Sequence, residues 1–126
     1  MNILLADDEL PALRELCDAV SAVVPKAQIH AFSKAVEAME YAENSTVDLA
    51  FLDINMRFMD GILMAKRLGE LNPSCNIVFC TGYGKYALDA MSTYCSDYLL
   101  KPISEEKVQK ALLHLRHPVP LEKHRT

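Results

Sequence analysis

The feature that most constrains this chain is a fivefold alternation of short apolar runs with longer amphipathic segments. Most of the short runs are apolar without a break, which is typical of strands buried on both faces of a parallel sheet. They lie at Ile3–Ala6, Ile29–Phe32, Leu49–Leu52, Ile77–Cys80 and Tyr98–Leu100. Because parallel strands need long crossover connections, the alternation predicts one α/β domain of five strand–helix units with right-handed crossovers.

The amphipathic segments carry apolar residues at three- and four-residue steps, which is the spacing of one helix face. Ser104, followed by two glutamates, predicts an N-cap and an acidic first turn for the last helix. The apolar sets are Leu13, Leu16, Val20 and Val23, then Val36 and Met39, then Met64, Leu68 and Leu71, then Tyr86, Ala87, Ala90, Met91 and Tyr94, and finally Val108, Ala111, Leu112 and Leu115.

Composition and charge exclude several classes of function. The 126 residues suit one domain, and 13 Lys and Arg against 17 Asp and Glu give a net charge of −4. An acidic chain without a basic stripe is a poor candidate for binding nucleic acid by itself. No segment approaches the roughly 18 uncharged apolar residues of a membrane span, so we expect no membrane association.

The cysteines and the last ten residues have simpler interpretations. Cys17, Cys75, Cys80 and Cys95 form no Cys-x-x-Cys motif, and most lie in apolar stretches. They predict buried, reduced thiols in a cytoplasmic protein. Residues 117–126 contain two prolines and several charged residues, which predicts a linker-like or disordered tail after a domain at residues 1–116.

Polar residues follow four of the predicted strands at the points where those strands end. Asp7, Asp8 and Glu9 follow the first strand, Asp53 the third, Thr81 the fourth and Lys101 the fifth. In open parallel sheets, ligands bind outside the carboxyl ends of the strands, where the connections diverge to opposite faces. We therefore expect two or three carboxylates, a hydroxyl and an ammonium group to converge at one edge of the sheet.

These groups suit phosphoryl chemistry. Carboxylates that lie close together repel one another unless a cation is present, and hard oxygen ligands suit Mg²⁺. An aspartate beside that ion can attack phosphorus, while Thr81 and Lys101 hold phosphoryl oxygens. Taken singly, Asp8 has an ordinary explanation as a helix cap, Asp53 as a loop residue and Lys101 as a surface group. Their coincidence at four strand ends favours a phosphoryl site.

The same residues carry a resemblance to a known family. Their order along the chain closely resembles that of a two-component response-regulator receiver domain. The resemblance covers the chain from Asn2 to about Leu115. This resemblance implies a doubly wound (βα)5 fold of the flavodoxin type, with strand order 2-1-3-4-5. The motifs are Asp7-Asp8, Asp53-Ile54-Asn55-Met56, Met59-Asp60-Gly61, Thr81-Gly82 and Lys101-Pro102.

The resemblance also implies the roles of the acidic residues. Asp53 corresponds to the phosphoacceptor, which takes a phosphoryl group from a sensor histidine kinase. Asp8 is expected to bind Mg²⁺ directly and Asp7 to help through water. The backbone carbonyl of Asn55 is expected to supply another ligand.

The resemblance also implies that three further residues take part in the response to phosphorylation. Thr81 and Lys101 would contact the phosphoryl group, and Tyr98 would be the aromatic residue whose rotamer changes. The Lys101–Pro102 peptide bond is expected to be cis. The surface built from the fourth helix, fifth strand and fifth helix would then change its partner preference, including the formation of a homodimer.

Two segments narrow the resemblance to receivers that precede a LytTR-type DNA-binding domain. They are Tyr83–Ala87 together with Ala90, and Asp97–Pro102. The implied function is control of transcription through a C-terminal output domain that this sequence does not contain. The alternative is a stand-alone receiver.

Two positions depart from the family pattern. Arg57 stands four residues after Asp53, where the family usually has proline. An arginine there frees a backbone N–H and places a cation near the site, although we expect an ordinary solvated loop residue. Leu63 stands where a polar residue is common and is expected to be partly exposed.

Two other functions compete with the switch. A phosphohydrolase of the haloacid-dehalogenase type would need an acid–base Asp two residues after Asp53, where this chain has Asn55. A pseudo-receiver would use the fold as a protein-interaction module without phosphorylation, yet all the key groups are present. We therefore expect a switch rather than an enzyme, with at most slow autodephosphorylation.

Overall fold

The computed structural model describes residues 1–120, so residues 121–126 of the predicted tail lie outside the described part. Strands and helices alternate along the chain, as the sequence pattern predicts. In order, they are β1 (Asn2–Ala6), α1 (Leu10–Val23), β2 (Gln28–Phe32), α2 (Ala35–Glu43), β3 (Leu49–Leu52), α3 (Gly61–Leu71), β4 (Asn76–Thr81), a 3₁₀ turn (Gly84–Tyr86), α4 (Ala87–Met91), β5 (Asp97–Leu100) and α5 (Glu105–Leu112).

The strands form one parallel sheet in the order β2-β1-β3-β4-β5, which confirms the predicted fold class and strand order. β1 lies between β2 and β3, and Ala6 is in register with Leu52 on β3. Beyond this pair, the Asp53 N–H donates to the Ala6 carbonyl at 2.9 Å. The residues that follow β1 and β3 are therefore held side by side at the edge where the connections diverge.

The core lies in two layers on opposite faces of the sheet, because successive strand side chains point to opposite faces. On one face, Leu4, Leu52 and Phe79 pack against Met64 and Leu68 of α3, together with α2. On the other face, strand residues including Leu5, Phe51 and Val78 pack against α1 and α5. β1, β3 and β4 are thus covered on both sides, as their continuous apolar runs predict.

The edge strands do not follow that prediction. β2 pairs only with β1, and each of its residues is at least partly exposed. In β5, Leu99 is buried, whereas Leu100 is 46% exposed. An edge position removes one neighbouring strand and part of the helical cover, so burial on both faces was the wrong expectation for these two strands.

The segment around α4 also differs from the predicted helix face. α4 is only five residues long, and Ala90 is its one buried residue. Tyr94 lies beyond the helix with φ of 57° and is 76% exposed. Val36 and Leu71, which belong to other predicted apolar faces, are exposed as well. The regular spacing in these segments therefore overstates their burial.

Several local predictions are confirmed. Ser104 is the N-cap of α5, and its hydroxyl accepts from the Lys107 N–H at 3.2 Å. The four cysteines form no disulfide, and three of them are buried. Burial raises the pKa of the Cys75 thiol to about 12, so this thiol stays protonated at neutral pH.

None of the helices within residues 1–120 has the length and apolarity to span a bilayer.

The chain after α5 is attached to the sheet through Asn76, whose side chain is buried. Its amide nitrogen donates to the carbonyls of Asp48, at 3.3 Å, and His117, at 3.0 Å. Its oxygen accepts from the Ser96 hydroxyl at 3.1 Å and from the His117 N–H at 2.8 Å. The first residue of the predicted tail is thus bound at the edge opposite the strands' carboxyl ends. The boundary at residue 116 stays a prediction.

Candidate functional site

The structure brings the three predicted carboxylates together. One oxygen each from Asp7, Asp8 and Asp53 lies within 4.8 Å of the other two. Asp7 and Asp53 are almost fully buried, at 1% and 5% exposure. The parallel register of β1 and β3 produces this crowding, because it fixes the ends of both strands at the same level. A buried cluster of carboxylates is unfavourable unless a cation neutralises it.

Lys101 supplies one positive charge to this cluster. Its ammonium nitrogen lies 2.7 Å from Asp7 Oδ2 and 3.6 Å from Asp53 Oδ1. Burial by itself lowers the pKa of Lys101, but the hydrogen bond and charge of Asp7 outweigh burial and leave this pKa raised. The Lys101–Pro102 peptide bond is cis, as the resemblance implies. Lys101 is therefore a permanent cation at the site.

Asp53 retains an unusual affinity for protons despite that cation. Burial, followed by the charge of Asp7, raises the pKa of Asp53 from 3.8 to about 6, and Lys101 only partly opposes the shift. The carboxylate of Asp53 is thus ionised at neutral pH but poorly stabilised. Any additional cation that binds beside this carboxylate stabilises its ionised form.

An open cleft of about 490 Å³ lies over these groups. The residues that line it include Asp8, Asp53, Asn55, Thr81 and Lys101, so a ligand in the cleft can reach all of them. Thr81 is buried, and its hydroxyl oxygen accepts from the N–H of Tyr83 at 3.3 Å. The hydroxyl proton of Thr81 remains available for an acceptor in the cleft.

Tyr98 lies on β5, which pairs with β4, and it contacts the loop between β4 and α4. Its ring packs against the core layer of α2 and α3, and its hydroxyl donates to the carbonyl of Tyr83 in a short hydrogen bond. Burial raises the pKa of Tyr98, so the phenol keeps its proton. Lys85 lies over the rings of Tyr83 and Tyr86, at 5.6 and 5.3 Å from their centroids. Tyr98 therefore contacts a loop that begins at Thr81.

Two contacts at the site were not foreseen from the sequence. Glu9 places its carboxylate 3.6 Å from the Lys101 ammonium nitrogen, and its N–H donates to Asp7 Oδ1 at 2.9 Å. Asp8 does not cap α1. Instead, its Oδ2 accepts from the Arg57 backbone N–H at 3.1 Å. The side chain of Arg57 is exposed, as expected, but its backbone is part of the site.

Gly61 is a further residue whose importance the motif did not explain. It begins α3, and its N–H donates to the Ile54 carbonyl at 2.8 Å. A Cβ at this position would overlap the Asp53 carbonyl oxygen and lie 2.8 Å from Ile54 Cα. The start of α3 thus packs directly on the backbone that carries Asp53. Asp60 caps α3 through the Leu63 N–H at 2.8 Å, and Leu63 is 43% exposed, as predicted.

The raised pKa of Asp53 predicts a pH dependence of stability in the metal-free protein. The folded state holds the Asp53 proton up to about pH 6, whereas the ordinary value is 3.8. The proton on Asp53 therefore contributes its whole stabilisation of the folded state below pH 3.8, and this contribution is lost as the pH rises to about 6. The loss is on the order of 2–3 kcal/mol. Urea unfolding in EDTA at pH 4 and pH 7 measures it.

The Asp53→Asn variant isolates this contribution from all other titrating groups. We expect the variant and the wild type to unfold at similar urea concentrations near pH 4, and the variant to be the more stable at pH 7. An exposed aspartate on α1, Asp18, provides the matched Asp18→Asn control, which should show no such difference. A wild-type-to-variant difference that is independent of pH would contradict the raised pKa.

Fold and site together define a class of protein. A parallel sheet of order 2-1-3-4-5, with clustered carboxylates, a threonine and a lysine at its carboxyl edge, is the arrangement of a receiver. The family model for the response regulator receiver domain matches residues 3–113. The chain therefore belongs to the response regulator receiver domain family.

Individual relatives agree with this assignment. The sensory transduction protein LytT of Enterococcus faecalis is 36% identical over 112 residues, which cover 89% of this chain and 46% of that protein. The response regulatory domain of protein mrkE from Klebsiella pneumoniae is 28% identical, with a TM-score of 0.79, and the match covers 91% of this chain and 94% of that one. This chain spans about half the length of the curated relatives it matches.

A third relative was solved with Mg²⁺ and BeF. The response regulator TrrA from Thermotoga maritima, in complex with Mg²⁺ and BeF, is 25% identical, with a TM-score of 0.75 over 87% of this chain and 97% of that one. Receiver domains in general are signalling switches rather than enzymes, bind Mg²⁺ at an acidic pocket and interact with sensor histidine kinases. The acidic pocket is present in this chain.

Proposed function

We propose that this chain is a cytoplasmic, phosphorylation-dependent switch that accepts a phosphoryl group on Asp53 from a sensor histidine kinase in a Mg²⁺-dependent step. The observation that carries this proposal is the convergence of the Asp7, Asp8 and Asp53 carboxylates within 4.8 Å, beside the Lys101 ammonium group. An accessible cleft over Asp53 supports it.

The donor set of the cluster fits Mg²⁺, since it consists of hard oxygen atoms. Asp8 and Asp53 would bind the ion directly, the Asn55 carbonyl would supply a third protein ligand, and Asp7 would act through water. When bound, Mg²⁺ neutralises the crowded carboxylates and stabilises negative charge on phosphoryl oxygens. The poor stabilisation of ionised Asp53 in the metal-free protein supports this requirement for a cation.

In the transfer step, a carboxylate oxygen of Asp53 attacks the phosphorus atom of the kinase phosphohistidine. The new bond joins this oxygen to phosphorus, the phosphorus–nitrogen bond breaks, and the histidine nitrogen keeps the bonding electron pair. Lys101 lies 3.6 Å from Asp53 and can hold one phosphoryl oxygen. Thr81 can donate its free hydroxyl proton to another oxygen.

The signal then passes through the loop that begins at Thr81. A movement of Thr81 toward the phosphoryl group displaces Tyr83, whose carbonyl holds the hydroxyl of Tyr98. Tyr98 would then change rotamer and fill the space that Thr81 vacates. This is a shift between two packings, so phosphorylation needs only a few kcal/mol of differential stabilisation.

The output surface in this proposal is the face formed by α4, β5 and α5. It already exposes apolar side chains, including Leu88 at 86%, Met91 at 55% and Leu100 at 46%. Such a patch suits a homodimer contact or another protein partner. The acidic chain itself binds no nucleic acid in this proposal.

In the whole protein, the switch would control transcription through a C-terminal DNA-binding domain. Two observations support this extension. The relative LytT is 36% identical to this chain, and YpdB of Escherichia coli, which is 28% identical, is named a transcriptional regulatory protein. A stand-alone receiver or a non-phosphorylated interaction module would share the fold but not this output.

The switch is tested by adding Mg²⁺ with beryllofluoride, which mimics a phosphoryl group on aspartate. We expect the amide NMR signals of Thr81, Tyr83 and Tyr98 to shift, and those of α4 to shift with them. The Asp53→Asn variant should show none of these changes, whereas Asp18→Asn should behave as the wild type. A silent wild-type spectrum, or an identical response in Asp53→Asn, would overturn the proposal.

A further inference from the structure

The hydrogen bond between Asp8 and Arg57 connects two loops of the site that are far apart in the sequence. The Arg57 backbone N–H, on the β3–α3 loop, donates to Asp8 Oδ2 across a separation of 49 residues. Proline has no backbone N–H and cannot make this bond. The bond therefore depends on the departure from the family pattern at position 57.

Asp8 has the capacity to keep this bond while it binds a metal ion. A carboxylate has two oxygens, so one can ligate Mg²⁺ while the other accepts an N–H. One oxygen of Asp8 lies within 4.8 Å of oxygens from both Asp7 and Asp53. Hydrogen bonds to ligating carboxylates fix their orientation and raise metal affinity.

The conformation of the β3–α3 loop gives a second, independent observation. Phe58, directly after Arg57, has φ of 71°, which is disfavoured for a bulky L-residue. The Phe58 side chain is 96% exposed, so core packing does not hold it in that conformation. The Arg57–Asp8 bond is a contact that does hold the loop, immediately before the strained residue.

We propose that the backbone amide of Arg57 is a positioning group that orients Asp8 for Mg²⁺ and ties the β3–α3 loop to the metal site. This inference rests on the proposed function, because it assigns Asp8 as a ligand. The amide acts through Asp8 and does not touch the phosphoryl group. Arg57 lines the same cleft, and its guanidinium group has a separate and purely electrostatic effect.

Two substitutions separate the amide from the charge. Arg57→Ala removes the guanidinium group and keeps the N–H, whereas Arg57→Pro removes both. Mg²⁺ affinity is measured by amide NMR titration of the metal-free proteins. We expect Arg57→Ala to bind Mg²⁺ at least as tightly as the wild type, because a cation near the site is removed. We expect Arg57→Pro to bind about 10-fold more weakly than Arg57→Ala.

A backbone ester at position 57 provides the second test, because proline also restricts φ. The ester keeps the arginine side chain and the freedom of the loop, and it removes only the N–H. It should weaken Mg²⁺ binding relative to the wild type, also about 10-fold. Equal affinities for the ester and the wild type would overturn this inference alone. A wild-type protein that does not bind Mg²⁺ would overturn the proposed function as well.

Discussion

Asp53→Asn is expected to abolish the uptake of a phosphoryl group from acetyl phosphate and Mg²⁺. The amide has no anionic oxygen to attack phosphorus, while the fold gives no reason for another residue to take over. Asp7 is buried and bound to Lys101 at 2.7 Å, and Asp8 accepts a hydrogen bond from Arg57. Intact-protein mass spectrometry measures the uptake as the added mass of one phosphoryl group.

The matched control for this experiment is Asp18→Asn, which changes the same side chain on the exposed face of α1. It should take up phosphoryl groups at the wild-type rate. The Asp53→Asn protein should also remain folded, and at neutral pH without metal it should be the more stable, because burial raises the pKa of Asp53 to about 6. Loss of uptake in a more stable protein separates a chemical role from a structural one. Wild-type uptake by Asp53→Asn would contradict the assignment.

Gly61→Ala is expected to lower the free energy of unfolding by about 3 kcal/mol, at the upper end of what overpacking costs. Its new Cβ would overlap the Asp53 carbonyl oxygen and meet Ile54 Cα at 2.8 Å. Both contacts are with backbone, so no side chain can rotate away. The start of α3 or the Asp53 backbone must move instead. Urea unfolding at neutral pH measures the loss.

Gly69→Ala is the control, because it makes the same change in the same helix. Gly69 lies inside α3 and is exposed. Apart from its chain neighbours and the nearby backbone of its own helix, no atom of residues 1–120 lies within 4 Å of a Cβ placed there. Alanine at this position should stabilise the protein by about 0.5–1 kcal/mol, the ordinary gain in a helix interior. Equal stabilities for the two alanine variants would contradict the close packing of α3 on the Asp53 backbone.

The sheet and the convergence of the site were predictable, because both follow from strand ends. Once Ile3–Ala6 and Leu49–Leu52 are assigned to neighbouring parallel strands, the residues that follow them must meet at one edge. The strand order itself came from the motif resemblance and not from periodicity. That order also places β2 and β5 at the edges, which explains why their apolar runs are only partly buried.

The contacts within loops were not predictable in the same way. The bond from Arg57 to Asp8 depends on the path of the β3–α3 loop, where Phe58 takes a left-handed conformation. Neither hydrophobic spacing nor residue type specifies such a path. The same is true of Tyr94, which continues the apolar spacing of α4 but lies outside the helix and is exposed. Periodicity states which residues can share a face, and tertiary contacts decide whether that face is covered.

In the proposed function, Asp53 carries the phosphoryl group, and its phosphorylation depends on Mg²⁺. The most direct measurement is peptide mapping by mass spectrometry after treatment of the wild type with acetyl phosphate, with Mg²⁺ in one sample and EDTA in the other. We expect one hydroxylamine-labile phosphoryl group, on the peptide that contains Asp53, in the Mg²⁺ sample only. A phosphoryl group on any other residue, equal uptake in EDTA, or no uptake with Mg²⁺ would contradict the proposed function.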